Sequence, residues 1–175
     1  MPKKTILTIA LLAFAAALGN AQSLGVSNRS AQVDGVVGDD EYGWSQSYQT
    51  ITLHLSRTGD RLFAAVEAEA AGWVGIGFGS SRMDGAHIFL GYVRRGREEI
   101  VQHFGRGHQH RDTDRPVEFE YKLAEAGGVT SLEISVPIDA FIEPGQNRLE
   151  LIIACGKGDR TQVYHSYRRG VVVDL

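Results

Sequence analysis

The sequence predicts an all-β chain, a β-sandwich of two antiparallel sheets, with a closed barrel as the other arrangement the pattern allows. Three observations carry this. Short apolar-rich runs recur at roughly 8–12-residue spacing, with glycine-containing turns between them. Beyond the first 21 residues no stretch of ten or more carries helical periodicity. What remains of the 175 residues is the length of one domain with a full core, and no repeat, linker or low-complexity tract divides it.

Residues 1–21 join a basic start (MPKK), an apolar run (TILTIALLAFAAAL) and the small residues GNA before Gln22. This is the pattern of a secretory signal peptide; the apolar run is too short for a membrane span. No cysteine adjoins the expected cleavage point, so no lipid anchor is indicated. Residues 22–175 are expected to form one exported domain, periplasmic or secreted. Residues 33–44 (VDGVVGDDEYGW) are polar and turn-rich, and their acids are expected to cap turns or bind a structural cation.

Strand signals follow. Residues 50–56 alternate, with Ile51, Leu53 and Leu55 on one face and His54 expected toward solvent. The turn RTGD leads to a second strand over 61–69, making a hairpin. Strands are expected over 73–78 and 86–93, with a polar loop around Met83 between them. Another glycine turn, RRGRE, leads to a strand over 98–104. Residues 106–116, rich in histidine and without periodicity, read as a loop. Further strands are expected over 117–124, 127–138, 147–155 and 170–175, with one helical turn within 139–146.

Composition narrows the function. Eighteen basic against 21 acidic residues give a net charge of −3 with no charged block, which argues against nucleic acid or an anionic membrane as partner. Cys155 is the sole cysteine and sits in an apolar run, so it reads as a buried, inert thiol. There is no C-x-x-C-H, which excludes covalent c-type haem. No G-x-S-x-G or framed carboxylate pair suggests a catalyst.

Two features invite chemistry. The strand GWVGIGFG places Gly75, Gly77 and Gly79 on one face and Val74, Ile76 and Phe78 on the other. The next element is a strand, not a helix, so this is no dinucleotide motif. A face stripped of side chains admits a flat ligand, or equally a closely packed neighbour. Met83 is the only methionine outside the leader, and it lies between Arg82 and Asp84 rather than in an apolar run. Separately, His103, His108 and His110 with Asp112 and Asp114 form the densest set of candidate metal ligands. Imidazoles suit copper or zinc, but the spacing fits no firm zinc pattern, and a solvated polar loop accounts for it as well.

The stretch GWVGIGFGSSRMDGAHIFLGYV resembles the signature of DOMON domains: an aromatic-glycine strand, a methionine loop, then GA and a strand ending GYV. VDGVVGDDEY, HFGRGHQHRDTD and YHSYRRGVVVDL resemble further parts of that family, so the likeness spans most of residues 22–175. The resemblance implies an immunoglobulin-like β-sandwich and a ligand-binding module. Many members, such as the cytochrome domain of cellobiose dehydrogenase, bind b-type haem, and others are proposed to bind sugars.

Carried onto this chain, the resemblance implies axial iron ligation by Met83 and His165. Loops meeting at one end of the sandwich would clamp the haem over Gly75 and Gly77. Trp73 and Phe78 are available to its edge, and Arg82, Arg168 and Arg169 to its propionates. Family members usually carry an aspartate where this chain has His87. That residue is a substitute ligand, a hydrogen-bond partner or a plain strand residue.

Three functions are therefore in view. One is a one-electron carrier with non-covalent haem b, whose redox donor and acceptor are separate proteins, since no further domain is expected after Leu175. Another is a haem-free carbohydrate or small-molecule binding module in the same pocket, with Trp44, Trp73, Tyr42 and Tyr92 as aromatic platforms. The third is a copper or zinc protein built on the histidine stretch.

Overall fold

The structure is a computed structural model that describes residues 23–161 and 164–175. The expected leader over 1–21 lies outside the described residues. Eleven strands follow in order: β1 Trp44–Tyr48, β2 Ile51–Arg57, β3 Arg61–Ala68, β4 Val74–Phe78, β5 His87–Arg94, β6 Arg97–Arg106, β7 Gln109–Asp112, β8 Glu120–Ala126, β9 Val129–Pro137, β10 Arg148–Cys155 and β11 Tyr167–Asp174. One 3-10 turn, Ile138–Ala140, is the only helical element among the described residues. No helix there is long and apolar enough to cross a membrane.

The strands make two antiparallel sheets. One has five strands in the order β1-β2-β3-β9-β8; the other has six, in the order β11-β10-β4-β5-β6-β7. This is the predicted sandwich, not a closed barrel. Alternation fixes which face goes inward. Ile51, Leu53 and Leu55 meet Leu62, Ala64, Leu132 and Ile134 from their own sheet, and Val74, Ile76, Phe78, Phe89, Leu151 and Ile153 from the other. Cys155 belongs to this core at 1% exposure.

Two strands lay hidden in polar sequence. β1 pairs with β2 throughout, Ser45 opposite His54. The stretch expected as a histidine loop folds back instead as the β6–β7 hairpin, with Arg106 opposite Gln109 across a turn whose Gly107 has φ 63°. Their hydrogen bonding comes from the backbone, which supplies the same donors and acceptors whatever the side chains.

The outer faces of the two sheets differ. Over the five-stranded sheet, Ala31 and Tyr42 of the N-terminal segment pack on Phe63 and Ala65. The acids of this segment cap turns: Glu41 accepts from the Gly38 N–H at 2.8 Å and Asp34 from the Val36 N–H at 2.9 Å. His54 does not face open solvent, as alternation had predicted. The segment and β1 cover it, and its ring bonds Ser45 Oγ at 2.8 Å and Glu67 Oε2 at 3.0 Å. The middle of the outer face of the six-stranded sheet is also apolar, and it holds the candidate site.

Candidate functional site

A solvated sheet face normally alternates to polar residues. Along the middle of β4, β5 and β10 the outward positions are instead Gly75, Gly77, Ile88, Leu90, Ile152 and Ala154, and they floor a cavity of about 800 Å³. The glycines let the floor pack closely. A Cβ on Gly77 would stand 2.7 Å from Ile152 Cγ2, and one on Gly75 would stand 2.9 Å from Leu90 Cδ2. Both readings of the glycine face are thus realised: neighbouring aliphatic side chains lean over the bare backbone, and the layer they make is the pocket floor. Trp73 borders this floor, with its indole packed on Gly156.

Two loops close the cavity from opposite ends of the strands. The loop carrying Met83 leaves the C-terminal end of β4 after Phe78. The segment carrying His165 follows Cys155, which pairs with Val74 at the N-terminal end of β4. Met83, Tyr164, His165 and Arg168 all line the cavity. The expectation of loops meeting at one end is therefore corrected: antiparallel pairing of β4 with β10 sends the two loops to opposite ends of one floor.

The Met83 loop is tightly held. Ser81 donates to Glu150 Oε2 through both N–H and Oγ, at 3.0 and 2.9 Å. Ser80 Oγ donates to the Asp84 carbonyl at 2.8 Å, and Asp84 Oδ1 accepts from the Gly107 N–H at 2.7 Å. The carbonyl oxygens of Ser81 and Met83 lie against Gly170 and Gly105, where any Cβ would collide with them. Sequence reasoning passed over both glycines. Their signal was only that each interrupts a strand.

His165 is half-buried, its ring 4.2 Å from that of Tyr164 between centroids. Burial, reinforced by the Arg168 cation, pushes its pKa below the ordinary histidine value. The neutral ring, with a free lone pair, is therefore the favoured form.

The remaining expected residues separate. Arg168 opposes Ala154 and faces the cavity, whereas Arg169 opposes Ile153 on the inner face. The Arg169 guanidinium sits 5.6 Å over the Tyr48 ring. Arg82 is exposed and does not line the cavity. Phe78 is core, stacked on Phe141 at 4.9 Å. His87 points between the sheets, away from Met83's cavity: it stacks on Phe89 and bonds Gln102 Oε1 at 2.9 Å. Of its three readings the structure keeps the hydrogen-bonded strand residue. Trp44 and Tyr42 lie outside the cavity lining, as does Tyr92.

The histidine stretch forms the side wall. His103, His108, His110 and Asp112 all line the cavity. His103 and His110 approach Nδ1 to Nδ1 at 2.7 Å, and His103 Nε2 lies 3.1 Å from Asp112 Oδ1. Among the described residues no three His, Cys, Asp or Glu side chains converge as a metal site.

No family model and no curated protein matches the chain in sequence. Solved structures do match in fold. The cytochrome b domain of pyranose dehydrogenase from Coprinopsis cinerea aligns with a TM-score of 0.59 at 13% identity, covering 74% of this chain and 80% of that one. The cytochrome domain of Myriococcum thermophilum cellobiose dehydrogenase aligns at 0.56 and 13% identity, covering 75% and 81%. A family 9 carbohydrate-binding module from Caldicellulosiruptor kristjanssonii in complex with glucose gives 0.48 at 14% identity over 83% of each chain. The fold is that of the cytochrome b domains, the sandwich that the DOMON resemblance had implied.

Proposed function

We propose that the chain is an exported b-type haem protein that carries one electron at a time between separate donor and acceptor proteins, with Met83 and His165 as the iron ligands. One observation carries the reading: the single methionine of the described residues and a neutral-favoured histidine reach one cavity from opposite ends of its apolar floor. At about 800 Å³ the cavity is in the range of cofactor sites.

The residues present fit such a group. The floor of Gly75, Gly77, Ile88, Leu90 and Ile152 would pack an apolar macrocycle and exclude water. Met83 would offer a soft thioether, held in place by the bonds of its loop. His165 would offer an imidazole nitrogen without first having to lose a proton. Arg168, near the mouth, would pair a carboxylate. Haem with this thioether and imidazole pair supplies a low-spin, six-coordinate one-electron couple of raised potential. With Met83 and His165 both holding it, such a group would leave no open position for a substrate, which supports a carrier rather than a catalyst.

The haem-free carbohydrate module is the rival reading. Tyr164, 81% exposed beside the cavity, is the aromatic a sugar would stack on. Trp73, at 5% exposure, is too buried for that role. A sugar site also gives no reason for the Met83–His165 pairing.

An absorption spectrum of the protein expressed with ample haem, before and after dithionite, tests the proposal. A sharp Soret band, resolved low-spin bands on reduction and an extractable cofactor are expected. Met83→Ala and His165→Ala should each convert the spectrum to a high-spin or weakly retained form. A folded protein with a featureless visible spectrum would overturn haem binding, and unchanged spectra in both variants would overturn the ligand assignment.

A further inference from the structure

The β6–β7 hairpin holds an arrangement the haem reading does not use. His103 opposes Asp112 and Gly105 opposes His110 across the ladder, so the two imidazoles are diagonal neighbours on the cavity side. His103 Nε2 faces Asp112 Oδ1 at 3.1 Å. The two Nδ1 atoms facing each other across the hairpin can share only one proton, and placing the His103 ring proton on Nε2, toward Asp112, leaves its Nδ1 bare. That nitrogen meets His110 Nδ1 at 2.7 Å. A carboxylate behind one imidazole nitrogen with the other aimed forward is how metal-binding histidines are oriented.

We propose that His103 and His110 bind one borderline divalent transition-metal ion, copper(II) foremost, through their Nδ1 atoms on the wall of the cavity. Two nitrogens each about 2.0 Å from one ion lie about 3 Å apart, so the rings need part by only a few tenths of an ångström. The proton that His110 holds between the two rings moves to its own Nε2, so the protein need release none. His108, exposed in the turn and lining the same cavity, is the next donor within the hairpin. Solvent completes the coordination sphere. Among divalent first-row ions, copper has the highest affinity for such a nitrogen pair.

The inference uses neither Met83 nor His165 and so stands apart from the haem reading. The test is a titration of the purified haem-free protein with copper(II), followed by calorimetry and by electron paramagnetic resonance. One ion per chain with a two-imidazole nitrogen pattern is expected. His103→Ala and His110→Gln should each weaken binding at least about tenfold and remove that pattern, and Asp112→Asn should weaken it by about tenfold. His165→Ala should leave it intact. Circular dichroism of each variant separates lost metal from lost fold, with His110→Gln retaining a polar group. Absence of binding by the unaltered protein, equal binding by the His103 and His110 variants, or loss of binding in His165→Ala would overturn the site.

Discussion

The carbonyl oxygen of Met83 occupies the space in which a side chain on Gly105 would begin. The two segments are bonded on both sides of that point. The Gly85 N–H donates to the Gly105 carbonyl at 3.1 Å, and the Gly105 N–H donates to the Ala86 carbonyl at 2.9 Å. Gly170 gives way to the Ser81 carbonyl in the same manner. The thioether is therefore placed from below, by two glycines of other strands, as much as by its own loop.

Gly105→Ala should displace the Met83 loop without unfolding the sandwich. The added methyl cannot be relieved by rotating a side chain, because its neighbour is backbone. A cost of about 1–3 kcal/mol is expected, typical of overpacking, with a lowered Tm in thermal melts. In haem-loaded protein the low-spin bands should weaken while far-ultraviolet dichroism persists. Gly25→Ala, where nothing lies within 4 Å of the added Cβ, is the control and should change neither.

His87→Leu should leave the haem spectrum unchanged. Gln102 Oε1 accepts from the Val117 N–H at 3.0 Å, and its Nε2 donates to the Val117 carbonyl at 2.8 Å, so the amide keeps partners once the imidazole is gone. Stability should shift by about 1 kcal/mol or less, the net worth of one such hydrogen bond. A change in the low-spin bands would return His87 to the ligand set.

The sandwich was legible because alternation in 50–56 and the glycine turns, such as the one leading into 61–69, report local backbone geometry directly. The pocket was half legible. Apolar residues at both parities of β5, Ile88 and Leu90 as well as Phe89, say that both faces of that strand are covered, and the bare face of β4 says the cover lies close. What covers them depends on strands far apart in sequence. His87 and Arg169 illustrate the limit: each is one residue from a position facing the other way, and parity in a strand moves a side chain through the sheet. β7 was missed for a different reason. Its four residues, Gln109–Asp112, are polar, and their pairing rests on backbone groups that a side-chain pattern does not encode.

Arg168 and Arg169 offer a test of that parity. Arg168→Ala should speed haem loss roughly three- to tenfold, since a charge-assisted bond near solvent is worth about 1 kcal/mol. Arg169→Ala should leave haem retention unchanged and cost about 0.5–1 kcal/mol of stability through its contact with Tyr48. Haem transfer to an acceptor globin measures the first, and thermal melts measure the second. Equal effects on retention would put both guanidinium groups in the pocket and contradict the register.

Glu133 should make stability fall as pH rises from the acid side. Its side chain is wholly buried, accepting from Tyr42 Oη at 2.8 Å and from the Gly35 N–H at 2.6 Å. Burial outweighs those bonds and raises its pKa above the ordinary 4.5, while the Tyr42 hydroxyl is pushed up as well. The native state therefore holds this proton at pH values where the unfolded chain has released it. The contribution is full below the unfolded value and is lost as pH rises through the folded one. Glu133→Gln removes the titration. The swapped acceptor shifts stability by a constant, and the histidines titrate alike in both proteins, so the difference in Tm between variant and parent isolates Glu133. That difference should move in favour of the variant from about pH 4 to pH 7, and a difference flat across the range would show that the carboxyl is not held protonated by the fold.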